Sequence, residues 1–193
     1  MHTQVGGTMT AYEARQFRLY KSQEKVQEIG MRMGLKDFTI LAAKRIYYQA
    51  FERNFIQGRS VYSVAAVCLY IACRCNKSPL MLIDFADAVQ IDMFTLGHIY
   101  HQLLKPPKGL AMMVPFVDPC LFIERFCSRL EFGSKAKQVE NLATRLIQTM
   151  NRAWISIGRR PNGLCGAAIL LASRVLGFRR STAQIVRVVH TCE

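Results

Sequence analysis

The sequence has few acidic side chains, no long apolar run and no Cys-x-x-Cys pair, and each absence excludes a class of protein. It contains 13 Asp and Glu against 26 Lys and Arg, which give a formal net charge of +13 and a pI of about 9.8. Such a surplus favours a polyanionic partner, most commonly nucleic acid, over a merely soluble basic surface. No apolar stretch reaches the ~20 residues that a transmembrane helix requires. We therefore expect no membrane partner.

Metal-binding and catalytic patterns are also absent from the sequence. None of the seven cysteines forms a Cys-x-x-Cys pair, and the four histidines supply no paired spacing near two cysteines, so we expect no metal site and no cofactor. There is no glycine-rich phosphate loop, nucleophile motif or motif with paired carboxylates. The sequence therefore favours a binding protein over an enzyme. Because several cysteines lie within apolar stretches, we expect reduced core thiols in an intracellular protein.

The chain is organised around an internal repeat with an offset of 100 residues. The run GRSVYSVAAVCLYIACR at 58–74 is echoed by GRRPNGLCGAAILLASR at 158–174, and both contain Gly-Arg at the start and Ala-x-Arg at the end. Each run is apolar on nearly every helical face, which a soluble protein tolerates only where other helices surround it. We therefore expect an all-α fold of two tandem bundles, each built around a buried central helix.

Helical periodicity, caps and breakers predict where the two bundles lie. We expect a mobile leader over 1–12, a first bundle of five helices over 13–105, a linker over 106–117 and a second bundle over 118–193. In the first bundle, the fourth and fifth helices at 82–89 and 92–104 are separated by a tight turn. A helix, a turn and a second helix can place a recognition helix in DNA, although short helix connections are also ordinary in bundles.

The second bundle contains start signals for four helices. Pro119 follows the capping Asp118, Pro161 begins the central helix, and Ser134 and Ser181 (or Thr182) are expected N-caps of the other two. Only the last three residues could begin a counterpart of the fifth helix of the first bundle. We therefore expect the second bundle to lack its last helix.

Two expectations concern burial. In the second helix of the first bundle, Asp37 is the expected N-cap, and the apolar stripe is expected at Leu41, Tyr48, Phe51 and Phe55. In the second bundle, Trp154 lies near the end of a helix. We expect its ring in the core rather than on the surface as a stacking platform for bases.

Four segments of the sequence resemble one known family. MLIDFAD at 81–87, DPCLFIERF at 118–126, LEFG at 130–133 and the run at 158–174 are similar to the tandem cyclin-like repeats of the TFIIB family, over roughly residues 30–193. Within the family they look most like the TFIIB-related factor (Brf) of the RNA polymerase III initiation factor TFIIIB. The resemblance implies two tandem cyclin-like five-helix bundles, with the second lacking its last helix. The zinc ribbon that precedes the repeats in that family is not matched.

The resemblance implies a non-enzymatic general transcription initiation factor that acts in the nucleus. The partners that it implies are the TATA-binding protein, promoter DNA, RNA polymerase III and the other TFIIIB subunits, with no cofactor. Contacts from Lys and Arg to phosphates would give an affinity that falls as salt rises. Two alternatives remain. One is a cyclin-like regulator that binds a kinase or another protein, and the other is TFIIB of another polymerase system, which the LIDF segment at 82–85 disfavours.

Charge and position select the candidate contact residues. Candidates for contact with DNA or the TATA-binding protein lie in the connectors on either side of the central helices: Arg59, Lys77, Arg159, Arg160, Arg179 and Arg180. Phe94 and Tyr100 on the predicted fifth helix are candidates for a partner surface, although core packing also explains such a stripe. For Arg74 and Arg174 we favour a structural role, because a cation at a helix C-terminus interacts with the exposed carbonyls.

Overall fold

A computed structural model describes residues 10–105, 110 and 114–191, and this part of the chain contains nine α-helices and no strand. The chain divides into two compact units. The helices of the first unit are α1 (Ala11–Arg32), α2 (Asp37–Glu52), α3 (Val61–Cys75), α4 (Leu82–Val89) and α5 (Met93–Leu104). Those of the second unit are α6 (Cys120–Arg129), α7 (Ala136–Arg152), α8 (Pro161–Val175) and α9 (Thr182–Val189), with a 3-10 turn at Gly133–Lys135.

The prediction of an all-α fold with two tandem helical bundles is confirmed. Residues 1–9 of the predicted leader, most of the predicted linker and residues 192–193 lie outside the described residues, and α1 begins within the range assigned to the leader. In the part of the chain that is described, no helix is both long enough and apolar enough to cross a membrane.

The internal repeat extends to the ends of the helices. The bounds of α8 lie 100 residues after those of α3, and the bounds of α9 lie 100 residues after those of α4. The residues that follow α4 and α9, Gln90 and His190, are both left-handed, with φ of 55° and 56°. The two units therefore share these two helices and the backbone of the turn that follows the second, so at these matched positions the units differ in side chains.

Each unit is built around its central helix. The buried positions of α3 run almost without interruption from Ser63 to Cys73, and α3 contacts all four other helices of its unit. In the second unit, α8 contacts α6, α7 and α9. Many of the buried side chains are Ala, so neighbouring helices can approach closely. Each fully buried Val, Leu or Ile contributes about 1.5–3 kcal/mol to stability. The predicted central helices are therefore confirmed.

Some predicted helix starts are confirmed and others are wrong. Ser181 is the N-cap of α9, and its Oγ accepts a hydrogen bond from the backbone N–H of Gln184 at 3.2 Å. Asp37 is the first residue of α2 rather than its N-cap, so its carboxylate lies near the positive end of the helix dipole. Ser134 does not cap α7, because it lies within the 3-10 turn that precedes that helix.

The predicted buried stripe of the second helix is wrong at two of its four positions: Phe55 is buried and Phe51 packs against the core, but Leu41 and Tyr48 do not. Leu41 and Tyr48 are 53% and 46% exposed, whereas Ile40, Ala43 and Tyr47 are buried. Both stripes have helical spacing, because α2 carries apolar residues on more than one face. The stripe that packs against α1 and α3 is the one that is buried, and this choice is made by tertiary contacts rather than by the periodicity.

The prediction that Trp154 lies in the core is also wrong. Its side chain is 76% exposed. The α7 helix ends at Arg152, and the chain then turns at Trp154 with a left-handed φ of 59°. The buried stripe of α7 consists of Val139, Ala143 and Ile147, and the turn directs the residue at position 154 away from it.

Substitutions at Gly30 and Gly97 test how closely the helices of the first unit pack. A Cβ added at Gly30 would lie 2.7 Å from Cγ1 of Ile40, whereas one at Gly97 would lie 3.8 Å from its nearest neighbour, Cδ2 of Leu82. We expect Gly30→Ala to lower the free energy of unfolding by about 1 kcal/mol, because overpacking outweighs the gain in helix propensity. Gly97→Ala should raise it by up to about 1 kcal/mol. Denaturant titration followed by circular dichroism measures both, and stabilisation by both would contradict close packing at Gly30.

Candidate nucleic-acid interface

The excess of positive charge is larger in the second unit than in the first. Residues 10–105 contain 13 Lys and Arg and 8 Asp and Glu, whereas residues 114–191 contain 12 and 4. From 141 to 191 there are eight arginines, no lysine and no acidic residue. No carboxylate within that segment can neutralise the arginines, and arginine is the residue best suited to phosphate recognition. The second unit therefore carries the better candidate surface for a polyanion.

Three arginines line a concave surface between α8 and α9, which we call the arginine cleft. The cavity has a volume of 640 Å³, and its lining residues are Arg174, Gly177, Phe178, Arg179, Arg180 and Ser181. Arg174 and Arg179 are exposed, and neither guanidinium has a hydrogen bond or ion pair to another described residue. The cleft also contains the N-terminus of α9, where backbone N–H groups and the helix dipole favour anions. This geometry can bind a phosphate group.

Arg180 has a different role from Arg179, although sequence reasoning treated them alike. Its Nη2 donates to the backbone oxygen of Glu131 at 2.9 Å, and its guanidinium lies 5.6 Å from the centre of the Phe132 ring. Phe132 in turn makes an edge-to-face contact with Phe178, with ring centres 5.3 Å apart. Arg180 therefore forms one wall of the cleft, and Arg179 is the freer of the two to meet a ligand.

The matching region of the first unit has a different chemistry. Arg74, the counterpart of Arg174, donates to the hydroxyls of Tyr70 at 3.2 Å and Tyr100 at 3.4 Å and to the backbone oxygen of Pro115. Its structural role thus comes from these partners rather than from the carbonyls at the end of α3. Lys77 is exposed with a φ of 52°, at the position that Gly177 occupies in the second unit.

The helices α4 and α9 also differ in charge at matched positions. Asp84 and Asp87 of α4 correspond to Gln184 and Arg187 of α9. Asp87 and Arg187 are both exposed, so the two units present opposite charges at one site of the shared framework. Repulsion between α4 carboxylates and phosphate disfavours the first unit as the nucleic-acid surface at this site.

The arginines that enter the central helices are not equivalent in the two units. Arg59 is half-buried: its guanidinium donates to the backbone oxygen of Phe55 and, at 2.9 Å, to Oε1 of Gln102 in α5. Arg159 and Arg160 are exposed and line a cavity of 390 Å³ with Met150, Ile155, Gly163, Leu164 and Ala167. Arg159 and Arg160 are therefore available to a partner, whereas Arg59 contributes to packing.

The two aromatic candidates on α5 also occupy different environments. Phe94 is 78% exposed in the first turn of the helix. Tyr100 is half-buried, makes an edge-to-face contact with Tyr70 at 5.4 Å and accepts the hydrogen bond from Arg74. Burial raises the pKa of the Tyr100 hydroxyl. Phe94 fits a partner surface, and Tyr100 is an internal packing residue; a role in binding stays a prediction for both.

Sequence reasoning missed several basic residues that the structure exposes or groups. Arg145 and Arg152 are exposed on α7, and the signal for them is the absence of acidic residues from 141 to 191. In the first unit, Arg15, Arg18 and Lys21 on α1 line a groove of 540 Å³ with Phe51 and Ile56 among its apolar residues. Their spacing of three residues places them on one side of the helix, which was visible in the sequence.

The buried cysteines have thiols that resist ionisation. The described cysteines are free, and Cys68, Cys73, Cys127 and Cys165 are buried. Burial raises the pKa of the Cys127 and Cys165 thiols to about 12, and burial together with Asp118 raises that of Cys120 to about 11. These thiols stay protonated at neutral pH, which makes them poor nucleophiles and metal ligands. Within the described ranges, no cluster of three His, Cys, Asp or Glu residues is arranged to hold a metal ion.

The chain is similar to known transcription factors over most of its length. The family described as "Transcription factor TFIIB repeat" matches residues 15–106 and 112–193. The chain is 42% identical over 94% of its length to the transcription factor IIIB 60 kDa subunit of Schizosaccharomyces pombe, and 38% identical over 94% to the 90 kDa subunit of Homo sapiens. It is 32% identical over 89% to transcription initiation factor IIB of Pyrobaculum aerophilum. It spans 36% and 26% of the two IIIB subunits, so these relatives are much longer.

The arginine cleft predicts a salt-dependent affinity for a labelled DNA duplex of random sequence. We expect Arg174→Gln with Arg179→Gln to weaken binding and to reduce the slope of log Kd against log salt by about 2, because two phosphate contacts are lost. Arg32→Gln with Arg45→Gln removes the same charge from exposed positions of the first unit and serves as the control. Fluorescence anisotropy over a salt series measures both slopes. Equal losses in the two variants would show that net charge, not the cleft, determines binding.

Proposed function

The chain belongs to the TFIIB repeat family, and from that premise we propose that it is a transcription initiation factor of the TFIIIB type. In this proposal it binds the complex of the TATA-binding protein with promoter DNA and recruits RNA polymerase III together with the other TFIIIB subunits. The proposal also places the protein in the nucleus and assigns it no catalytic activity.

The observation that carries this proposal is the difference in identity between two groups of relatives. TFIIIB subunits from Schizosaccharomyces pombe and Candida albicans are 42% and 40% identical to the chain over 94% and 99% of its length. The Pyrobaculum initiation factors IIB are 31–32% identical over 89%. Both groups bear the names of transcription factors, and the higher identity favours the polymerase III type over TFIIB of another system.

The geometry supports a division of labour between the two units. The second unit provides the arginine cleft and, from 141 to 191, a segment of sequence without acidic residues. Contacts from Arg174 and Arg179 to phosphates supply affinity that depends little on base sequence. Phosphate contacts of this kind set the register and orientation of a protein on DNA. The second unit therefore meets the DNA backbone in this proposal.

The first unit is suited to protein partners. Its 13 basic and 8 acidic residues between positions 10 and 105 give a more balanced surface. Exposed apolar and aromatic side chains occur on four of its helices, including Phe38 and Leu41 on α2 and Phe94 on α5. Exposed apolar side chains that are surrounded by polar residues favour contacts with proteins over contacts with phosphates. The TATA-binding protein and the polymerase are the partners that we assign to such surfaces.

A gel-shift titration against a preformed complex of the TATA-binding protein with promoter DNA tests the proposal. We expect a slower-migrating complex whose formation weakens as salt rises, because ions compete for the phosphate contacts. Promoter DNA without the TATA-binding protein serves as the control and should bind the chain more weakly.

Two results would contradict the proposed function. One is the absence of the slower-migrating complex (the supershift) at every salt concentration at which the TATA-binding protein stays bound to promoter DNA. The other is activation of a protein kinase by the chain with no effect of nucleic acid, which would favour a cyclin-like regulator instead.

A further inference from the structure

The turn between α7 and α8 has the same backbone as the turn between α2 and α3. The backbone N–H of Trp154 donates to the oxygen of Asn151 at 3.2 Å, as that of Asn54 donates to Phe51 at 3.0 Å. The φ angles of Trp154 and Asn54 are 59° and 54°. We call residues 152–160 the α7–α8 corner, and its counterpart at 52–60 differs from it in side chains rather than in backbone.

Two exposed positions are apolar in the α7–α8 corner and polar in its counterpart. Trp154 and Ile157 are 76% and 66% exposed, and the residues at the matching positions are Asn54 and Gln57. A left-handed backbone is several times more common for Asn than for ordinary residues, and it is unfavourable for bulky ones. The backbone therefore gives no reason for tryptophan at position 154, and Trp154 is also the only tryptophan in the chain.

The first unit indicates which side chains of this corner remain exposed when a fifth helix is present. Asn54 and Gln57 are exposed although α5 packs in the same unit. Phe55, by contrast, is 1% exposed, and the guanidinium of Arg59 lies 4.1 Å from its ring centre while bonding to Gln102 of α5. Ile155 is the counterpart of the buried Phe55, so its exposure does not by itself indicate a binding surface. Trp154 and Ile157 lie at positions that such a helix leaves open.

The charges around the corner also differ between the units. Arg152 occupies the position of Glu52, whose carboxylate pairs with Arg15 at 3.3 Å in the first unit. Arg160 occupies the position of Ser60, and Arg152, Arg159 and Arg160 are all exposed. These three arginines, which we call the arginine rim, flank the apolar pair along the chain, and no acidic residue occurs between 141 and 191.

We propose that the α7–α8 corner is a docking surface for an acidic segment of a partner protein. Trp154 and Ile157 enter an apolar pocket of the partner, and the carboxylates of the acidic segment pair with the arginine rim. Tryptophan and arginine are the residue types most enriched among the dominant contacts of protein interfaces. Burial of the Trp154 ring removes a large apolar area from water, and the rim selects for negative charge. Ile157 adds aliphatic area but cannot stack on a base, which favours a protein partner over nucleic acid. This inference does not depend on the proposed function.

A synthetic amphipathic peptide of Glu, Asp, Leu and Phe is the probe that tests this surface. We expect it to shift the emission of Trp154 to shorter wavelength, because the ring leaves water. The variant Trp154→Asn with Ile157→Gln carries the side chains of the first unit on the same backbone, so it should fold. We expect it to weaken binding of the labelled peptide, measured by anisotropy, by about tenfold or more. Duplex DNA should bind this variant as it binds the unchanged chain.

The control replaces a second exposed apolar pair of the same unit, Leu171→Gln with Val175→Gln, which are 46% and 73% exposed on α8. It should leave the peptide affinity unchanged. An unaltered peptide affinity in the Trp154→Asn, Ile157→Gln variant would overturn the proposal. A loss of DNA affinity equal to the loss of peptide affinity would assign the corner to nucleic acid instead. Equal binding of a peptide with Lys in place of Glu and Asp would refute the role of the arginine rim.

Discussion

The burial of one helix on all sides is the constraint on which the rest of each unit depends. A helix surrounded by others can carry few polar side chains, and those it carries must be small or satisfied. In α3, the buried polar residue is Ser63, and in α8 it is Ser173, whose hydroxyl donates to the backbone oxygen of Leu170 at 2.9 Å. This requirement explains why α3 and α8 preserve the repeat and share bounds at an offset of 100 residues.

The same constraint leaves the outward positions of the framework free to differ. At matched sites, α4 has Asp87 where α9 has Arg187, and the corner that has Asn54 in the first unit has Trp154 in the second. None of these side chains lies in a core, so each can change without altering the bundle. One framework thus carries a first unit with more balanced charge and a second unit with an arginine surface. The binding functions that we propose follow from this difference rather than from the fold.

The sequence predicted the repeat well and the local chemistry of helix starts in part, since the N-caps expected at Asp37 and Ser134 were wrong. Pro161 at the first position of α8 and the cap at Ser181 were read correctly, since both act within one helical turn. The exposure of Leu41 and Tyr48 on α2 and that of Trp154 were not predicted, because exposure depends on which surface a neighbouring helix covers. The bond from Arg180 to the oxygen of Glu131 joins residues 49 positions apart, and no local pattern indicates it. The sequence therefore identified candidate binding residues by their residue type. It did not show which of them are free to bind a partner and which are packed against the protein.

The central claim is that the placement of charge in the second unit, rather than the total charge, creates the nucleic-acid surface. The double variant Asp87→Arg with Arg187→Asp exchanges two exposed charges between the units and keeps the net charge at +13. Its affinity for the complex of the TATA-binding protein with promoter DNA, measured by gel shift, tests the claim most directly. The account predicts that the affinity falls by about tenfold, since a carboxylate then replaces an exposed arginine on α9, the helix whose N-terminus lies in the arginine cleft. An affinity equal to that of the unchanged chain would contradict it.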